Sequence, residues 1–113
     1  MNKDKNVFGL TKKEFEIYSF LVGEEFLNYD TFEYDKPITP NTTLVEIGLR
    51  YNIIDIIISL ENEYAKYNID FKFLEYIDLR TIDEIIKLTI KKIKGNKYER
   101  RIRKLTKAAF CLL

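Results

Sequence analysis

GLRYNIIDIIISLENEY, Gly48 to Tyr64, decides how the rest of the chain is read. Its run of isoleucines resembles a buried strand, because Ile is β-branched. The apolar residues nevertheless keep a helical period: Ile53, Ile56, Ile57, Leu60 and Tyr64 recur at three- and four-residue steps. LENEYAK, which follows, is helical in composition. The stretch therefore predicts a helix from Asn52 to about Lys66, with Asn52 as N-cap and Asp55 placed against the positive end of the helix dipole. Gly48 marks the boundary before it.

Upstream, Thr11-Lys12-Lys13-Glu14 is a capping box, with Leu10 and Phe15 placed as a hydrophobic staple. Phe15, Tyr18, Val22 and Phe26 predict the inner face of a first helix running to about Leu27. Gly23 interrupts it and suggests a close packing contact. Residues 28–46 read as a long connection, rich in turn formers, with Pro37 and Pro40 holding off helix. Phe32, Tyr34, Ile38 and Leu44 are apolar beads that can pin it to a core. A connection of this length is often functional.

Downstream, FKFLEYIDL predicts a short helix or turn. Thr81-Ile82-Asp83-Glu84 is a second capping box, opening a helix with Ile82, Ile85, Ile86, Thr89, Ile90 and Ile93 turned inward. Gly95-Asn96 stops it. Residues from about 97 to 111 predict a further helix, basic on one face, with Tyr98, Ile102, Leu105 and Ala109 on the other. The expected organisation is an N-terminal tail over 1–10, a helical bundle over 11–94 and a basic amphipathic helix over 95–113.

Composition narrows the chemistry. With 113 residues, 46% hydrophobic and 33% charged, the chain suits one globular domain. It has no His, so the usual neutral-pH proton carrier and the commonest metal ligand are missing. Its lone cysteine, Cys111, excludes an intrachain disulfide and a Cys-rich zinc site. No apolar run approaches the length that spans a bilayer, and MNKDKNVFGL lacks the apolar stretch of a signal peptide. CLL does not fit a prenylation signal. A cytoplasmic location is the expectation.

The net charge of +1 conceals an asymmetry. Residues 1–86 carry 9 Lys/Arg and 17 Asp/Glu; residues 87–113 carry 10 Lys/Arg and the single acid Glu99. An acidic body with a basic tail suggests that the two parts meet different partners or each other. Lys91, Lys92, Lys94, Lys97, Arg100, Arg101, Arg103, Lys104 and Lys107 form the candidate basic patch. Three destinations are open to this segment: back onto the bundle, onto an anionic membrane or a partner groove, or onto nucleic-acid phosphates. The acidic body argues against the last.

TLVEIG (Thr43–Gly48), IIISLENEY (Ile56–Tyr64) and NIDFKFLEYIDLRTIDEIIKLTIKKI (Asn68–Ile93), in this order and spacing, resemble the acyl carrier protein family over roughly residues 11–94. The resemblance implies an all-α four-helix bundle with a long first loop and a short third helix, here with an added basic C-terminal helix. It also implies an acidic second helix that docks basic surfaces of partner enzymes, as in fatty-acid or polyketide synthesis. In that family Asp-Ser-Leu follows the glycine, and the serine is esterified to 4′-phosphopantetheine. Here Leu49, Arg50, Tyr51 and Asn52 follow it, and the LENEY ending comes one residue early. Arg50 or Tyr51 occupies the attachment position. Arg has no nucleophilic atom for this chemistry, and the Tyr ring carries its hydroxyl several ångströms outward. The two serines, Ser19 and Ser59, both fall within predicted helices.

The expectation is thus a non-catalytic interaction module with no 4′-phosphopantetheine and no metal. Its partner would be a protein with a basic docking surface, met by Arg50, Tyr51, Asp55, Glu61 and Glu63. Two alternatives stand beside it: a genuine carrier with a relocated attachment residue, and a binder of anionic surfaces through the C-terminal helix. The carboxylate pairs Glu24/Glu25, Glu61/Glu63 and Asp83/Glu84 read as capping and solvated groups rather than as an acid/base site.

Overall fold

Thr11 starts the first helix as its sequence predicts. Its hydroxyl accepts from the Glu14 amide at 3.2 Å, and the Glu14 carboxylate accepts from the Thr11 amide at 2.8 Å. The computed structural model describes residues 7–33, 35–67 and 72–94. They are mostly helical and contain no strand.

Helix α1 covers Lys12–Phe20. Its path continues as a π turn over Leu21–Glu25 and a 3-10 turn over Phe26–Asn28, so the whole rod ends one residue beyond the predicted limit. The inner face is centred differently from the predicted one. Ile17, Tyr18, Leu21 and Phe26 are buried, whereas Phe15 lies out at 39% exposure, stacked on Tyr18. The predicted inward role of Phe15 is therefore corrected. So is the close contact expected at Gly23, where a Cβ would meet nothing within 4 Å. Before α1, Leu10 is buried and Phe8 packs on Tyr18 with ring centroids 5.2 Å apart.

The long connection is pinned as the apolar beads predict: Phe32 and Leu44 are buried and Ile38 packs against the core. Tyr34 lies outside the described residues. The Tyr18 hydroxyl donates to the Ile38 carbonyl at 2.6 Å, tying α1 to the connection.

Helix α2 covers Ile53–Glu63, preceded by a 3-10 turn at Arg50–Asn52 and followed by another at Ala65–Tyr67. Ile53, Ile56, Ile57, Leu60 and Tyr64 are all buried, as their period requires. Asn52 occupies the N-cap position but makes no side-chain cap bond. The 3-10 turn already carries the chain into helix, so φ −99 and ψ 10 at Asn52 do not match the extended backbone of a capping residue. Asn68 lies outside the described residues.

Helix α3 is one turn, Phe73–Tyr76, and packs against α2. Helix α4 occupies residues 82–94. Ile82, Ile85, Ile86, Thr89 and Ile93 are buried along it. Tyr76 is fully buried on α3, with its hydroxyl 3.2 Å from the Thr89 hydroxyl, which in turn donates to the Ile85 carbonyl at 2.7 Å. Lys92 and Glu75 pair at 2.6 Å across the same junction.

The start of α4 is held by the connection. Thr43 and Thr81 form an isolated antiparallel bridge. The Leu44 amide donates to the Arg80 carbonyl at 2.8 Å, the Ile82 amide to Thr42 at 3.2 Å and the Asp83 amide to Pro40 at 2.7 Å. First-turn amides, which helical bonding leaves without partners, thus receive backbone acceptors. The second capping box is half made: Thr81 accepts from the Glu84 amide, but the Glu84 carboxylate accepts from the Thr81 hydroxyl.

Candidate docking face of the second helix

A second, shorter device delivers the chain into α2. Thr43-Leu44-Val45-Glu46 forms its own reciprocal box: the Glu46 amide donates to the Thr43 hydroxyl, and the Thr43 amide and hydroxyl both donate to the Glu46 carboxylate. Those bonds hold the exposed Glu46 carboxyl below its ordinary range. The Leu49 amide closes the turn onto the Leu44 carbonyl at 2.8 Å. Gly48 leaves this turn at φ +74, in the left-handed region, and a Cβ there would fall 2.1 Å from the Thr31 carbonyl oxygen. Glycine is required by both conformation and space. The neighbouring Glu33 amide donates to the Ile47 carbonyl, so the connection lies directly over the turn.

Beyond Gly48 the chain divides sharply between core and solvent. Leu49 is fully buried, Arg50 is half-buried and Tyr51 stands 98% exposed. Tyr51 therefore does not fill the junction before the helix. Ile54 and Ile58 follow at one-turn steps, each 49% exposed. Asp55 and Glu63 are exposed and Glu61 is half-buried. Among the described residues, none of these three acids joins an ion pair. The outer face of α2 therefore carries an apolar stripe, Tyr51-Ile54-Ile58, with Asp55 and Glu61 alongside, while Glu63, five residues past Ile58, lies further round the helix. The sequence reading named the acids and Tyr51; it did not single out Ile54 and Ile58, whose spacing opposite the buried face was the available signal.

The turn before α2 does not fit a prosthetic arm on a serine-type alcohol. The Thr43 hydroxyl is bonded to Glu46, and the Thr31 hydroxyl, 3.4 Å from Asn52 Oδ1, belongs to the overlying connection. Ser59 is half-buried on α2 and lies beside the Tyr29 phenol. Tyr51 offers a phenol at the helix start, with no hydrogen-bonded base among the described residues.

Two carboxylates read as solvated or merely capping are in fact buried. Glu25, on the π turn, accepts from the Tyr29 hydroxyl at 2.5 Å. Burial, then the adjoining carboxylate, drives the Tyr29 phenol far above its ordinary value and keeps it a donor. Glu14 pairs with Lys87 of α4. Burial alone would raise the Glu14 carboxyl, but bonds from Lys87 and Thr11 outweigh it and hold the group low. Glu14 thus ties α1 to α4, and Glu25 ties the end of the first rod to the start of the connection.

Of the basic patch, Lys91, Lys92 and Lys94 lie on the last turns of α4. Lys92 is drawn into its pair with Glu75, while Lys91 and Lys94 are exposed. Lys97, Arg100, Arg101, Arg103, Lys104 and Lys107, with the whole predicted helix over 95–113, lie outside the described residues. Among the described residues no cluster of His, Cys, Asp and Glu could hold a metal ion, and no helix is long and apolar enough to cross a membrane. Comparison with protein-family models, curated proteins and solved structures gave no match.

Proposed function

We propose that this chain is an acyl-carrier-like, non-catalytic interaction module that docks a basic protein surface through α2 and carries no 4′-phosphopantetheine. The observation that carries the reading is the outer face of α2: an exposed aromatic and two exposed isoleucines beside Asp55 and Glu61, with Glu63 at the end of the same helix. Exposed apolar groups in register gain from being covered, and unpaired carboxylates select a cationic partner and speed its approach. Arg50 and Tyr51 stand at the head of this face, residue types enriched in interfaces.

Support for a carrier-like bundle comes from the order of elements: a long first helix, a long connection, a glycine-led second helix, a one-turn third and a Thr-started fourth. The residues after Gly48 argue against loading, since Leu49 is buried and neither Arg50 nor Asn52 has an alcohol.

A lysine-rich amphipathic peptide is the probe for docking. Titrated into the isotope-labelled chain at low salt, it should shift signals of Ile54, Asp55, Ile58, Glu61 and Glu63. The variant D55N/E61Q/E63Q should bind about tenfold more weakly, a loss of about 1.4 kcal/mol. Shifts centred on another face, or an unchanged affinity in the variant, would overturn the reading.

A further inference from the structure

We propose that the cavity between the entry to α1, the connection and the first turns of α4 is a binding site for a small organic amine. None of its residues lies on α2, and it needs nothing from the docking reading above.

Three stretches distant in sequence wall this cavity: Phe8 and Leu10 before α1, Thr39 and Asn41 on the connection, and Asp83 and Lys87 of α4. Its volume is about 400 Å³, and small-molecule sites span about 300–1,000 Å³. Its walls are tied together before any ligand arrives. The Asp83 amide donates to the Pro40 carbonyl at 2.7 Å, and the Thr39 amide donates to the Thr42 hydroxyl at 2.9 Å. Phe8 rests on Tyr18, whose hydroxyl donates to Ile38, the residue before Thr39.

Charge selects the class of ligand. The Lys87 ammonium bonds Glu14 and stands 4.0 Å from an Asp83 carboxylate oxygen, outside hydrogen-bond reach. One cation thus lies between two carboxylates, which leaves the group net negative. Among the described residues the Asp83 carboxylate accepts no hydrogen bond.

The start of a helix ordinarily favours an anion, because its first amides lack partners. Here they are taken. The Ile82 and Asp83 amides bond the Thr42 and Pro40 carbonyls, and the Glu84 amide bonds the Thr81 hydroxyl. An arriving anion would meet these occupied amides and the two carboxylates around Lys87. An ammonium meets a carboxylate able to accept from it, a charge-assisted bond. Thr39 and Asn41 add side-chain oxygens that accept as well. The Phe8 ring, 38% exposed, supplies an aromatic wall, and aromatic faces attract cations.

Phenethylamine and hydrocinnamate, alike in body and opposite in charge, are the probes. Each is titrated into the isotope-labelled full chain at neutral pH. Phenethylamine should give saturable shifts at Phe8, Thr39, Asn41 and Asp83 in the low-millimolar range, as suits so small a ligand, and hydrocinnamate should give none there. Asp83→Asn should weaken phenethylamine about tenfold while the Thr43 and Thr81 amide signals stay in place. The proposal falls if the amine leaves these residues unmoved, if its shifts centre on α2, if hydrocinnamate binds as tightly, or if Asp83→Asn binds the amine unchanged. Should the variant lose its fold, the two probes decide on the native chain alone. Docking through α2 is decided separately by the lysine-rich peptide.

Discussion

Gly48 and Gly23 separate two uses of one residue. At Gly48, positive φ and the Thr31 carbonyl together exclude a side chain. Gly48→Ala should cost more than about 2 kcal/mol, since it adds a backbone clash to left-handed strain. At Gly23 there is open space, so Gly23→Ala should stabilise by about 0.5–1 kcal/mol. Urea unfolding of the two variants reads both signs at once. Glu14 is the other decisive residue. Its folded carboxyl is held below 4.5, so its contribution is present above that value and drains away as pH falls through the lower folded one. Glu14→Gln should lose about 1–2 kcal/mol at neutral pH, and its stability should fall less steeply in acid than that of the native chain. Denaturation at a series of pH values checks the slope. The capping role of Glu14 was legible from Thr-x-x-Glu. Its pairing with Lys87, 73 positions away, was not, because local spacing carries no information about which helices meet.

Among elements, α2 was the most legible, because five buried positions share one strict period and nothing interrupts it. The first rod was less so. Its apolar residues fit more than one face, and the one that turns inward runs through Glu14, Ile17, Tyr18, Leu21 and Glu25 at three- and four-residue steps, which leaves Phe15 outside and takes Glu25 in. The box at Thr43–Glu46 is the same Thr-x-x-Glu signal as at Thr11, but it builds only a turn, because Gly48 ends it. The α3–α4 junction holds a buried polar contact between the Tyr76 and Thr89 hydroxyls. Tyr76→Phe removes a hydroxyl whose partner, Thr89, keeps its bond to the Ile85 carbonyl, so the expected loss is about 1 kcal/mol rather than the larger penalty of an orphaned group. Thermal unfolding of that variant should show a drop of a few degrees with the helical signal intact.

At the scale of the molecule, the connection over 29–49 is the organiser. It covers Gly48 with Thr31, supplies acceptors to the first turn of α4 and delivers the chain into α2. Its apolar beads were visible in sequence, whereas its pairing with residues 80–83 was not, since a single bridge leaves no strand-like alternation. The same connection determines what the head of α2 presents: a buried Leu49, a half-buried Arg50 and an exposed Tyr51. Recognition by a face, with no carried group, is the account's central claim. The most direct test is the intact mass of the purified chain after incubation with a phosphopantetheinyl transferase and coenzyme A, alongside a carrier protein known to be loaded. The account predicts an unchanged mass for this chain while the control gains one phosphopantetheine arm. The same gain on this chain would contradict it.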